Sequence, residues 1–286
     1  FKGGVALAST GLTAVAIAGI AAAMFMALLV PAYSFLILRN RTDPYDAAAI
    51  AATYGSISAV TFIAAQQFLT RNGLEFGGHM TVAMVLMESP AIIMAVLLAS
   101  YVRSQAKLEL SPSVGAAAVV PKPVSIKAVL PEAFTDGAHL LLIGSLVIGY
   151  ITGDAGKAVM GPFTADIFKG ILAFFLLEMG LLVARQLREA RGMPPFLVAF
   201  ALIMPSVNAL VAITLSRVLG MGVGDSLLLA VLSASGSYIV VPAICRYAIP
   251  EARPGRYFTM SLGFTFPFNI IIGIPLYYAV IRSIWG

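Results

Sequence analysis

GSISAVTFIAAQQFL, residues 55–69, and GSYIVVPAICRYAIP, residues 236–250, are apolar stretches that each begin with a glycine and small hydroxyl residues. A second apolar run follows each of them, broken at Pro90 in the first case and at Pro267 in the second. Unwound backbone is tolerated at membrane depth only where it lines a cavity, so paired interruptions of this kind indicate the binding site of a secondary transporter. The two stretches therefore predict two broken helices.

The composition excludes an ordinary soluble domain. Hydrophobic residues make up 60% of the chain and charged residues 11%, with a mean hydropathy of +0.95. Several uncharged runs reach the roughly 20 residues that a helix needs to cross the hydrocarbon core, and they lack the alternation of an outer-membrane barrel. We therefore predict an all-α, polytopic membrane protein. No nucleotide loop or nucleophile–histidine–acid set is present, and we expect no enzyme activity.

Eight spans are predicted, and one long polar connection separates the third span from the fourth. This connection contains PSVGAAAVVPKP, whose prolines disfavour a continuous helix. We interpret residues 1–104 as a first repeat, 105–136 as a linker and 137–286 as a second repeat. The predicted spans are residues 11–38, 47–69, 77–102, 138–153, 163–184, 195–219, 226–247 and 257–283.

The basic residues divide unequally when successive connections are assigned to alternating sides of the membrane. Twelve fall on one side and five on the other, with Lys169 close to a span. The richer side, which includes the linker, is predicted to be cytoplasmic, and the C-terminus external. The richer side holds Arg39, Arg41, Arg103, Lys107, Lys122, Lys127, Arg185, Arg188, Arg191, Arg246, Arg253 and Arg256, and the other Lys2, Arg71, Lys157, Arg217 and Arg282.

The last three spans of the second half match the three spans of the first half in order. Their assigned directions are opposite, which predicts inverted repeats related by an axis in the membrane plane. The opening FKGGVAL resembles EMGLLVA at residues 178–184, within the second span of the second half. We therefore expect ten helices in two five-helix repeats, of which about eight are present because the first N-terminal spans are missing.

Small and hydroxyl residues at the two breaks form the predicted anion site. Freed N–H groups at a helix N-terminus suit a small anion, and freed carbonyls at the opposing helix end suit Na⁺. Pro242 is expected to free further polar groups in mid-membrane. Tight helix packing is the alternative role of any single serine here. The predicted substrate-binding residues are Gly55, Ser56, Ser58, Thr61, Ser235, Gly236, Ser237 and Tyr238.

Glu88 is the main candidate for an ion site, because a carboxylate inside an apolar span costs several kcal/mol. Three roles fit it: ligation of Na⁺, transfer of a coupled proton, or a bond to a neighbouring helix. Its counterparts beside the second proline are Thr265 and Asn269, neutral oxygen donors that suit Na⁺ better than a transition metal. Glu178 is equally well explained by a helix contact, and Arg246 by a side chain that extends to the membrane surface.

These stretches, together with MESPA, FKGILAFFLLEMGLLVARQLREAR and AIPEARPGRYFTMSLGFTFPFNIIIGIPLY, resemble the sodium-dependent bicarbonate transporter family, the cyanobacterial type of bicarbonate permease. The resemblance covers essentially the whole chain. It implies Na⁺-coupled uptake of bicarbonate across the bacterial inner membrane. It also implies an elevator-like core domain moving against a gate domain, a homotrimer, and a PII-like regulatory protein on the cytoplasmic side.

The resemblance carries over at most site positions and departs at two. Tyr238 stands where the cyanobacterial form has an aspartate and Val240 where it has a serine, so the chain resembles a divergent member; Glu88 replaces another aspartate with its charge kept. Two alternatives remain open: a transporter of another small anion or a Na⁺/H⁺ exchanger of the same fold, and a non-transporting anion sensor. The matching positions are Gly55, Ser58, Thr61, Ser235, Ser237 and Pro242.

Overall fold

The computed structural model describes residues 1–109 and 137–286, so most of the predicted linker lies outside the described residues. Within those two ranges the chain forms helices joined by short turns, which confirms the prediction of an all-α protein. The helices are α1 (Lys2–Thr10), α2 (Ala14–Leu38), α3 (Pro44–Gly55), α4 (Ala59–Arg71), α5 (His79–Glu109), α6 (Gly137–Gly161), α7 (Phe168–Glu189), α8 (Pro195–Val218), α9 (Val223–Ala234), α10 (Val240–Ala248) and α11 (Pro254–Trp285).

Six segments of the described chain are long and apolar enough to cross a membrane. They are α2, the α3–α4 pair, α5, α7, α8 and α11, and each matches a predicted span. The two other predicted spans are also helical. One is α6, which kinks at Gly153 because that glycine adopts φ 54° and ψ −143°, and the other is the α9–α10 pair. The protein is therefore a polytopic membrane protein, as the composition predicts.

Both predicted broken helices are present. The helix α3 ends at Gly55, and Ser56 is extended, with φ −103° and ψ 177°. The helix α9 ends at Ala234, and Ser235 is extended in the same way, with φ −88° and ψ 168°. Each of these first halves is 12 residues long, so the two breaks occur at the same depth along their helices.

The structure corrects the breaks expected at Pro90 and Pro267. The helix α5 continues through Pro90, because neighbouring helices can re-satisfy the backbone groups that a proline frees within the membrane. Pro267 lies between two π-helical stretches of α11, and the helix continues through both of them. Pro242 is the third residue of α10, where an N–H group would have no partner within the helix. Pro242 therefore fits the start of α10, and its ring prevents a regular helix from extending back through the second break.

The helices separate into two groups by their burial. The main apolar core of the described chain is built from α2–α5 and α8–α11. The helix α1 packs on α6, and α7 packs on α11. A methyl group on Gly4 would overlap the carbonyl oxygen of Leu146, so the approach of α1 to α6 requires a glycine. The division into a moving core and a gate stays a prediction.

Two carboxylates hold the broken helices to the opposite half of the chain at matching positions. Asp46 is the third residue of α3, and it accepts a hydrogen bond from the backbone N–H of Arg253 at 2.7 Å, directly before α11. Asp225 is the third residue of α9, and it accepts one from the backbone N–H of Gly77 at 2.7 Å, just before α5. We call these contacts the Asp46 and Asp225 latches. Their equivalence supports the predicted inverted repeat.

The Asp46 latch also contains two ion pairs. The Asp46 carboxylate is 1% exposed and lies 2.7 Å from the Arg253 guanidinium and 2.8 Å from that of Arg256. Nearby, Arg103 forms an ion pair with Glu251 at 2.8 Å. Burial alone would raise the pKa of Glu251, but the hydrogen bond and charge of Arg103 outweigh burial and lower the pKa below its usual value.

The opposite end of the bundle contains the Asp225 latch and two arginines that stack on aromatic rings. The His79 imidazole faces Asp225 at 3.6 Å, and Arg217 stacks on Trp285 with 5.3 Å from its guanidinium carbon to the ring centroid. Arg282 stacks on Tyr278 in the same helix. Arg217 and Arg282 belong to one predicted side of the membrane, and the arginines around Asp46 to the other. The structure groups them as the charge count does, and which side is cytoplasmic stays a prediction.

We expect Asp46→Ala to lower the free energy of unfolding by about 2 kcal/mol or more, because the two arginines lose a buried partner. This loss is smaller than that expected for a fully buried ion pair, because the Arg253 side chain is 58% exposed. Thermal unfolding of the purified protein in detergent measures the change. The control is Asp43→Ser, which keeps an oxygen acceptor at the start of α3. Equal melting temperatures for the two variants would contradict the proposed strength of this latch.

Candidate functional site

The two broken helices meet at their interruptions and bond to each other there. The backbone N–H of Ser237 donates to the carbonyl oxygen of Thr53 at 2.9 Å. The backbone N–H of Ser58 donates to Ser235 Oγ at 3.0 Å. The helix α9 packs on α4 and α10 on α3, so each first half lies against the second half of the other broken helix. We call this region, residues 53–61 and 232–241, the crossing.

Ser58 is the centre of a buried hydrogen-bond network in the crossing. Its hydroxyl accepts from the backbone N–H of Thr61 at 3.2 Å and from Thr61 Oγ1 at 2.8 Å. The same hydroxyl donates to the hydroxyl of Tyr238 at 3.2 Å. Ser58 thus caps the start of α4 and links it to the second break.

The serines of the second break have similar structural roles. Ser237 Oγ accepts from the backbone N–H of Val241, in the first turn of α10, at 3.3 Å, although the N-cap residue of that helix is Ile239. Ser235 Oγ donates to the carbonyl of Leu232 at 2.9 Å while it accepts from the first break. The hydroxyls of Ser58, Ser235 and Ser237 therefore all have partners within the protein in this conformation.

Two other hydroxyls in the crossing are buried without a hydrogen-bond partner among the described residues: Ser56 Oγ and Ser233 Oγ. Both side chains are 2% exposed or less. A buried hydroxyl left unpaired costs about 1–3 kcal/mol, so a ligand that pairs with it gains that amount of binding energy. These two serines are suited to contact a bound ion.

The ends of four helices converge at the crossing and give it two electrostatic sides. The helices α4 and α10 begin there, so their first N–H groups, including those of Ala59 and Val240, have no partner within the helix. The helices α3 and α9 end there and leave carbonyl oxygens. Helix N-termini favour an anion and C-termini a cation. The crossing can therefore hold one of each close together.

The glycines of the two breaks differ in their surroundings. A Cβ atom on Gly55 would lie 2.6 Å from Cγ of Pro31, so this glycine allows α2 to approach the end of α3. A Cβ atom on Gly236 would lie 3.4 Å from Cβ of Ser261 and 3.6 Å from the Thr53 carbonyl, which are ordinary contacts. Gly55 is required by packing, whereas Gly236 leaves space beside the crossing.

The predicted ion-binding residues on α11 contact the broken helices. Thr265 Oγ1 donates to the carbonyl of Ala201 at 2.7 Å and lies 2.6 Å from the hydroxyl of Tyr54, next to the first break. Asn269 Nδ2 donates to the carbonyl of Ala234, the last residue of α9, at 2.9 Å. Both residues hold the ends of broken helices in place, and Na⁺ binding by them stays a prediction.

Glu88 occupies a buried position on α5. This helix packs against both α3 and α10, which belong to different broken helices. The structure thus brings all eight predicted substrate-binding residues to the crossing and places Glu88 on a helix that contacts it. The sequence interpretation missed the Thr53 carbonyl, because a backbone acceptor leaves no signal in residue type. It also missed the two latch aspartates, whose matching positions near the starts of the broken helices were a usable signal.

One comparison with known proteins found a family that matches the chain. A sequence model of the Na⁺-dependent bicarbonate transporter superfamily matches residues 1–282. No curated protein matches the chain. The family match covers nearly all of the chain, including both broken helices and the latches, and it confirms the resemblance drawn from the residues. The chain belongs to the Na⁺-dependent bicarbonate transporter superfamily.

Proposed function

We propose that the protein is a secondary transporter that couples the uptake of bicarbonate to the entry of Na⁺, with both ions held at the crossing. The observation that carries this proposal is the direct bonding of the two breaks, through Ser237 and Thr53 and through Ser58 and Ser235. This bonding puts two positive and two negative helix ends at one buried point. Family membership supports the same pair of ions.

The anion is assigned to the side of the crossing formed by the starts of α4 and α10. Bicarbonate carries one negative charge and three oxygens, and it requires hydrogen-bond donors. The first N–H groups of the two helices and the hydroxyls of Ser58 and Ser237 supply them. Because these hydroxyls already have protein partners, binding exchanges one set of hydrogen bonds for another. Such an exchange favours a small polar anion over a bulky one.

The cation is assigned to the side formed by the ends of α3 and α9. Na⁺ requires oxygen ligands, and carbonyl groups at two helix ends together with Ser56 Oγ and Ser233 Oγ provide them. In this proposal Glu88 supplies negative charge from α5. Thr265 and Asn269 fix the positions of the helix ends through their bonds to Tyr54 and Ala234.

The proposed cycle moves the core helices α2–α5 and α8–α11 as a unit against α1, α6 and α7, as in an elevator transporter. The separation of the main apolar core from these three helices supports it. We further propose a homotrimer in the bacterial inner membrane with the C-terminus external. A PII-like regulatory protein would bind on the cytoplasmic side, and the family resemblance is the support for that partner.

Uptake of labelled bicarbonate into proteoliposomes tests this function. We expect uptake to require an inward Na⁺ gradient and to fall to the background of protein-free vesicles when choline replaces Na⁺. Unchanged uptake in choline would remove Na⁺ coupling. Proton movement driven by a Na⁺ gradient without bicarbonate would instead support the alternative of a Na⁺/H⁺ exchanger.

We expect Ser58→Ala to raise the KM for bicarbonate by about tenfold or more, since a hydrogen bond to a charged group contributes about 1.5–3 kcal/mol. The matched control is Thr70→Ala on the same helix. Thr70 is exposed, and its hydroxyl bonds only to the carbonyl of Gln66 in its own helix. A KM for Ser58→Ala within twofold of the control value would place the anion elsewhere.

Glu88→Gln is expected to raise the Na⁺ concentration that gives half-maximal uptake by about tenfold, because it removes a buried negative charge. Asp154→Asn removes an exposed carboxylate from α6 and serves as the control. Uptake is measured against Na⁺ concentration at saturating bicarbonate. Identical Na⁺ dependence in the two variants would show that Glu88 is not part of the cation site.

A further inference from the structure

A pocket of about 420 Å³ that is open to the surface lies beside the second break, between α7 on one side and α10 and α11 on the other. Most of its walls are apolar, contributed by residues such as Met179, Ala243 and Leu262. Two charged side chains, Glu178 and Arg246, also line it. Charged groups are expensive inside a membrane and face a water-filled space or a functional partner.

The cavity reaches from the end of the bundle to the crossing. Arg246 lies in the last turn of α10, and Tyr238 lies just before its first turn. These two residues are therefore separated by about two helical turns, ~11 Å. A volume of this size holds an anion with several waters, since one water occupies about 30 Å³ in the liquid.

Tyr238 forms the wall between this cavity and the anion site. Its hydroxyl bonds Ser58 Oγ at 3.2 Å inside the crossing. Its ring packs edge-on against Phe266, with centroids 5.5 Å apart, and belongs to a small apolar cluster that includes Met179 of α7. The ring thus packs toward α7 while its hydroxyl reaches Ser58 in the crossing.

We propose that this cavity is the access chamber through which the anion reaches or leaves the crossing, with Arg246 as the residue that attracts it and Tyr238 as the gate. The inference rests on the proposed function for the identity of the anion. Arg246 raises the local concentration of anions near the chamber, as a positive group beside low-dielectric walls does. Glu178 offsets part of the positive charge of Arg246, so that the anion can dissociate from the chamber.

Cysteine labelling tests the chamber. The background is Cys245→Ala, which removes the buried native thiol so that the reporter is the one cysteine that can react. The reporter is Ala243→Cys in the chamber wall. We expect the reporter to react at least about tenfold faster with a negatively charged methanethiosulfonate reagent than with a positively charged one of similar size. Adding Arg246→Gln should abolish that preference, whereas the control Arg188→Gln, on the exposed end of α7, should keep it.

Ile239→Cys is the second reporter and measures the same labelling preference if Ala243→Cys fails to fold, because Ile239 also lines the cavity. No reaction at either position, or a preference that Arg246→Gln leaves unchanged, would overturn the proposal. Labelling is measured without bicarbonate. If the protein takes up bicarbonate but the reporter shows no preference for the anionic reagent, the access chamber is rejected and the proposed function stands. If the reporter shows that preference but the protein does not take up bicarbonate, only the identity of the transported anion is rejected.

The gate is tested with Ser58→Cys as a reporter inside the crossing. Tyr238→Ala should raise its labelling rate with the anionic reagent by about tenfold or more, because the wall between chamber and crossing is removed. Tyr238→Phe keeps the ring and should change that rate little. Equal rates in the two variants would show that the Tyr238 ring does not separate the two spaces.

Discussion

The hydrogen bond from the Ser237 N–H to the Thr53 carbonyl joins two interruptions that could not exist separately in a membrane. A broken helix exposes backbone donors and acceptors, and no water is present in the hydrocarbon core to pair with them. Each break here supplies partners for the other, through this bond and through Ser58 and Ser235. The same constraint brings four helix ends to one point, which creates the paired electrostatics that an anion and Na⁺ require.

The rest of the fold maintains this meeting of the two breaks. The Asp46 and Asp225 latches anchor the start of each broken helix to the other half of the chain. Thr265 and Asn269 hold α11 to the region of the first break and to the end of the second. Helices outside the main core contact the crossing mainly through Tyr238 and its apolar neighbours.

The sequence predicts the fold well where the signal is local. Glycine and serine in apolar runs mark both breaks, and the basic residues group as the structure groups them. The breaks expected at Pro90 and Pro267 are wrong, because the outcome of a proline depends on its position in the helix and on neighbouring helices. The Thr53 carbonyl and the pairing of Asp46 with Arg253 were beyond prediction, since they depend on how distant segments pack.

The central claim is that the two bonded breaks form one site for the anion. A crystal structure of the protein grown with saturating Na⁺ and bicarbonate tests it most directly. The account predicts density for a planar anion within hydrogen-bond distance of Ser58 and Ser237, with Na⁺ density near Ser56 and both breaks retained. Anion density confined to another part of the protein, with the crossing unchanged, would contradict it.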